Sequence, residues 1–144
     1  MKEIRAEIEI QASAERVWQV LTDFASFPQW NPFIRWAIGE AKTNTKLEVH
    51  IQPSGARGMT FKPIVLKAEP NYELRWLGRF LTPGTFDGEH IFTIETLGAD
   101  HVRFTQREVF TGLLVPLLAQ SLDSDTRRGF DEMNQALKVR AEQS

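Results

Sequence analysis

The chain has 144 residues, 42% hydrophobic and 25% charged, the proportions of a single globular domain (1–144) long enough to bury a core. Its 17 Lys and Arg stand against 19 Asp and Glu, a net charge of -2, so no basic excess is present to engage a phosphate backbone and no nucleic-acid partner is expected. The absence of cysteine removes disulfides, thiolate catalysis and Cys-ligated metals; the start, MKEIRAEIEI, lacks a signal-peptide core, and no apolar run approaches the roughly 20 residues of a membrane span, which points to a cytoplasmic protein without stable membrane insertion.

Residues 3–11, EIRAEIEIQ, alternate strictly and predict a half-buried strand with Ile4, Ala6, Ile8 and Ile10 on one face. Ser13 then suits the N-cap of a helix whose apolar side carries Val17, Trp18 and Leu21. Phe24 and Phe27 suggest a second short helix, ended by Pro28 and Pro32. Strands follow at 33–40, 46–52, 59–68 (with a bulge or edge at Pro63), 72–78, 86–97 and 101–111, the last two joined by a tight turn at Gly98-Ala99-Asp100. LLVPLLA (113–119) reads as a lid, a core segment or the contact of a homodimer. The tail then becomes helical, with Leu122, Thr126, Phe130, Met133, Leu137 and Ala141 on one stripe and Ser121 or Ser124 as its cap. About seven mainly antiparallel strands with segregated helices make an α+β fold, in which the long C-terminal helix must cover the apolar face of the sheet.

This order, with the stretches VWQVLTDFASFPQWNPFI, ELRWLGRF, GTFDGEHIFTIE, VRFTQREVFTGLLVPLL and GFDEMNQALKVRAE, resembles the START-like, Bet v 1-like superfamily, and within it the bacterial polyketide cyclase/dehydrase-like (SRPBCC) proteins. The resemblance implies a helix-grip fold, a curved sheet wrapped around the C-terminal helix. It also implies a cavity under that helix for a small hydrophobic molecule, lipid-like or polyketide-like. Some members of the superfamily are enzymes and others carriers or sensors.

Strand parity supplies the polar candidates. Phe86, Gly88, His90, Phe92 and Ile94 share a face, as do Val102, Phe104, Gln106, Glu108 and Phe110. A turn centred on residue 99 sets His90 opposite Glu108, Phe92 opposite Gln106 and Ile94 opposite Phe104, with Cβ atoms roughly 4.5 to 5.5 Å apart. His90 and Glu108 are then a polar anchor in an apolar pocket, an acid–base pair, or a self-satisfied structural pair. Trp30, Phe33, Trp76, Phe92, Phe104, Phe110, Phe130, Met133 and Leu137 are the candidate lining, and His90, Gln106, Glu108 and Asn134 the candidate polar contacts. Arg35, if it points inward from the second strand with Phe33, is the one cation to consider as partner for a ligand carboxylate; the alternative, and the expectation, is an Arg35 that faces outward. Gly129, inside the last helix, implies close packing or a bend. His50, His90 and His101 are scattered without a ligand spacing, so neither a metal nor a cofactor is expected. Three functions stay open: a carrier of a hydrophobic ligand, a cyclase/dehydrase-type enzyme using His90 and Glu108, and an interaction module with a filled core.

Overall fold

The computed structural model describes residues 1–80 and 82–143, without the side chains of Phe80 and Ser121. Strands β1 (Lys2–Ile10), β5 (Ile64–Glu69), β6 (Glu73–Phe80), β7 (Phe86–Gly98) and β8 (His101–Thr111) form one antiparallel sheet in the order β1-β8-β7-β6-β5. Strands β2 (Ile34–Ile38), β3 (Glu48–Ile51) and β4 (Met59–Phe61) form a smaller one, β2-β3-β4. The Lys46–Ile64 bridge, with Leu47 N–H donating to Pro63 O, links the two. The described residues thus hold eight strands rather than about seven. The predicted strand 59–68 is cut at Lys62-Pro63, because a proline cannot donate to the ladder and the chain passes there from one sheet to the other.

The helices follow from local chemistry. Ser13 Oγ accepts from Arg16 N–H at 3.1 Å and starts α1 (Ala14–Thr22), as its position predicts. A 3-10 turn (Phe24–Ser26) and the single-turn helix α2 (Phe27–Trp30) bring the chain to Asn31. Buried Asn31 turns it into β2, its Oδ1 accepting from Phe33 N–H at 3.0 Å and Ile34 N–H at 2.8 Å. The prolines frame this corner; the asparagine fastens it.

At the other end α3 (Val115–Ser121), a π-helical turn (Leu122–Thr126) and α4 (Arg127–Glu142) run on without a break. The expected cap is therefore not formed: Ser124 Oγ donates back to Gln120 O at 3.2 Å, and the side chain of Ser121 lies outside the described residues. In LLVPLLA, Val115 is buried while Leu113 and Leu117 stand more than four-fifths exposed.

The core sits between the large sheet and α4. Phe130, Met133, Leu137 and Ala141 face inward from the helix, against Ile4, Ile10, Phe92, Ile94, Val102 and Phe104. The outer face of the sheet carries cross-strand charge pairs, among them Arg107–Glu3 and Arg75–Glu89, each 3.2 Å apart. Gly129 is explained by packing: a Cβ there would run into the ring of Phe33, which also meets Phe130 edge-on at 5.6 Å. Gly129→Ala gains about 1 kcal/mol of helix propensity but must displace Phe33. A net loss of roughly 1–3 kcal/mol is expected from this overpacking, read as a lower denaturation midpoint; a more stable variant would show that Phe33 yields freely.

Candidate functional site

The strand register settles where the polar candidates meet. His90 pairs with Glu108, Phe92 with Gln106 and Ile94 with Phe104, as the turn position predicts. A register shift between Thr96 and Gly98 absorbs the difference between that turn and the two-residue link Ala99-Asp100 that forms. All these side chains point toward α4. The hydrogen bond of His90, however, goes diagonally rather than straight across. His90 Nε2 lies 2.8 Å from Gln106 Oε1, and Gln106 Nε2 donates to Asn134 Oδ1 on α4 at 2.9 Å. Glu108 Oε1 stands 3.6 Å from His90 Nδ1, which has no hydrogen-bond partner.

His90 is wedged among rings. Phe92 stacks on it at 4.3 Å, and Phe130 and Trp76 lie at 5.2 and 5.4 Å. Burial drives its pKa down to about 4, although the bond to Gln106 pulls the other way. Burial also pushes the Glu108 carboxyl up to about 8. The 3.6 Å contact has the spacing of an ion pair, but near neutral pH its members are a neutral imidazole and a protonated acid.

The cavity beside this pair has a volume of about 280 Å³. Its walls are Phe33 just before β2, Val49, Ile51 and Phe61 from the small sheet, Pro63, and Trp76, Phe86 and Phe110 from the large one. Pro53, Ala56 and Arg57 come from the β3–β4 connection, Met59 from the start of β4, and Leu122, Asp125 and Thr126 from the π-helical turn. Gly78 and Gly88, paired across β6 and β7, form part of the floor with Glu108 beside them. Space exists there because two successive strands present no side chain.

The cavity therefore lies beyond the N-terminal end of α4 rather than beneath its middle. Of the predicted lining, Phe33, Trp76, Glu108 and Phe110 reach the wall. His90, Phe92, Phe104, Gln106, Phe130, Met133, Asn134 and Leu137 are buried behind it, because the stacked rings fill the gap between sheet and helix. Trp30 lies elsewhere. It packs edge-on against Phe27 at 5.3 Å and borders a separate polar cleft with Arg16, Asp23 and Arg140, since Phe27 takes the inward side of the single-turn helix. Arg35 donates to Gln52 O at 3.1 Å. The cation on the cavity wall is Arg57, exposed at the rim, in the connection between β3 and β4. Gly78 and Gly88 were visible as glycines at strand positions, a pattern that signals close approach or missing bulk.

His50 stacks on Trp36 and bonds to Thr60, while His101 meets Glu9 at 2.7 Å. Among the described residues no group of three His, Cys, Asp or Glu is placed to hold a metal, and no helix is long and apolar enough to cross a membrane.

A curved antiparallel sheet closed by one long helix, with an apolar cavity at the helix end, defines a helix-grip protein of the START-like type. The sequence pattern of the family described as polyketide cyclase / dehydrase and lipid transport matches residues 1–142, and the chain belongs to that family. The fold is shared with a START superfamily protein from Mycobacterium smegmatis (24% identity, TM-score 0.75, covering 98% of this chain and 97% of that one). It is shared also with the Zhui aromatase/cyclase from Streptomyces sp. R1128 (15%, 0.76, 98% and 93%). A norcoclaurine synthase point mutant from Thalictrum flavum, in complex with a transition-state analogue, is a third such structure (14%, 0.72, 97% and 93%). No protein of curated function matches the sequence.

The two pKa shifts act on stability in opposite senses. Glu108 lies above its ordinary 4.5, so the folded chain keeps a proton that the unfolded chain releases, and stability falls as pH rises from about 4.5 to about 8. His90 lies below 6.5, so the unfolded chain binds the extra proton and stability rises from about pH 4 to 6.5. The effects offset each other where the windows overlap and leave a net loss between 6.5 and about 8. Denaturation midpoints are expected to fall across that interval in the wild type and to change less in Glu108→Gln. Equal slopes would show that Glu108 is already ionised at neutral pH.

Proposed function

We propose that this protein binds a small, mostly apolar molecule in the cavity between the small sheet, the end of the large sheet and the π-helical turn. The observation that supports the reading is the wall itself. Aromatic and aliphatic side chains surround about 280 Å³, near the lower end of the roughly 300–1,000 Å³ usual for small-molecule sites. The polar side chains on the wall are few: Glu108 at the floor, Arg57 at the exposed rim, and Asp125 and Thr126 from the π-helical turn. Lipid transport in the family description agrees with a carrier or sensor of such a molecule. The size of the space favours a compact ligand or one segment of a longer chain.

A second reading is an enzyme of the cyclase/dehydrase type, supported by one specific feature. His90 Nδ1 has no hydrogen-bond partner, and the carboxyl beside it reaches the cavity. The pair can move a proton to or from a polyketide-like substrate held there. The aromatase/cyclase among the similar structures agrees with this reading on fold alone.

Gly78 gives a direct test. A Cβ at this position would meet nothing nearer than Gly88 O and Pro63 Cβ, both at 3.9 Å, so a side chain can start there without a clash, on the wall of the cavity. Gly78→Leu is expected to keep the wild-type circular dichroism and thermal midpoint. It should weaken binding of beta-methylnaphthalene, followed by the probe's fluorescence, by about ten-fold or more, the scale of overpacking a filled site. Equal binding by the two proteins would place the ligand elsewhere.

A further inference from the structure

We propose that the deep end of the cavity takes a hydrogen-bond donor, a hydroxyl on an otherwise apolar ligand, at Glu108 Oε2, and that Gln106 and Asn134 set this polarity through the tautomer of His90. The inference rests on the binding reading above and names the class of ligand that the cavity accepts.

The chain of bonds has a direction. Asn134 Oδ1 accepts from Gln106 Nε2 at 2.9 Å, which leaves Gln106 Oε1 to face the imidazole. An amide oxygen only accepts, so the proton of the neutral ring lies on Nε2, 2.8 Å away. Nδ1 then carries a lone pair, is buried and lacks a donor. Glu108 Oε1 stands 3.6 Å off, beyond hydrogen-bond distance, and a small turn of the carboxyl would bring a proton on Oε1 to Nδ1. Oε2 would then be left as a carbonyl oxygen. It lies over Gly88, where a Cβ would come within 2.5 Å of it, and both residues belong to the cavity wall.

The cavity thus presents an acceptor at its floor. A ligand hydroxyl can donate to it; a methyl group or a carboxylate cannot. The other groups packed on His90, Trp76 of β6, Phe92 of β7 and Phe130 of α4, do not titrate. Asp125 is engaged by Arg128 at 3.1 Å, and Arg57 is at the exposed rim. None of them alters the polarity at Oε2.

Beta-naphthol and beta-methylnaphthalene test this, since they share the two rings and differ by a hydroxyl in place of a methyl. In a site without an acceptor the methyl probe binds more tightly, because burying an unpaired hydroxyl is costly. The wild type is expected to bind the naphthol about ten-fold more tightly, as a site built around a hydroxyl does. Glu108→Gln keeps a carbonyl oxygen over Gly88 while its amide donates to His90, and should retain the preference. Glu108→Leu should reverse it. The nitrogen chemical shifts of His90 should show a protonated Nε2 and a bare Nδ1, and Gln106→Leu should move the proton to Nδ1. Binding of both probes without preference would overturn this inference and leave the cavity reading standing. Binding of neither would overturn both. A preference lost in Glu108→Gln, or a protonated Nδ1 in the wild type, would overturn the assigned polarity.

Discussion

The bond between His90 and Gln106 is the contact on which the arrangement of this protein depends. It joins neighbouring strands of the large sheet, and Gln106 extends it to Asn134 on α4. Three polar side chains are thereby taken out of water in the middle of an apolar core, where an unmade hydrogen bond costs about 1–3 kcal/mol. Hydrophobic packing alone would let α4 slide or rotate on the sheet at small cost. A directional chain specifies one position and one rotation of the helix. Phe130, one turn before Asn134, then falls against Phe33 and His90, and Gly129 beside it meets Phe33.

Filling the middle of the grip moves the cavity to its end. The rings of Phe92, His90 and Phe130 occupy the space that a wider helix–sheet gap would leave. At the cavity floor the sheet presents Gly78 and Gly88, and at Pro63 the chain passes from the small sheet to the large one. Open space and closed core are therefore neighbours along the same strands. Glu108 stands at the boundary, one oxygen toward His90 and the other over Gly88.

Periodicity made much of this legible. The alternation in β1, β7 and β8 fixed which side chains face α4, and the position of one turn fixed the pairing of His90 with Glu108. What periodicity does not carry is distance along a side chain. Gln106 is two residues from the position opposite His90, yet it reaches diagonally across the strands and takes the hydrogen bond that Glu108 was expected to make. Nor does it report how much volume a set of rings fills. The predicted lining therefore mixed residues of the wall, such as Trp76 and Phe110, with residues sealed behind it, such as Phe104 and Met133. Asn31 shows a third limit: its role lies in two backbone bonds at a corner, and between two prolines and three aromatics a single amide carries no periodic signal.

The same geometry gives the cavity a route to the helix that closes the fold. Whatever changes the protonation or position of Glu108 changes what His90 Nδ1 faces. His90 can answer only by shifting its proton or its ring. A shift of the proton from Nε2 to Nδ1 turns the contact with Gln106 from donor–acceptor into acceptor against acceptor, unless the Gln106 amide turns over as well. That turn would set Gln106 Oε1 against Asn134 Oδ1, two acceptors, unless the Asn134 amide turns as well. Each member has few alternatives, so the chain behaves as a unit rather than as separate contacts. The three hydrogen-bonded side chains, His90, Gln106 and Asn134, therefore hold α4 in one seating as long as their senses agree, with Glu108 standing beside them.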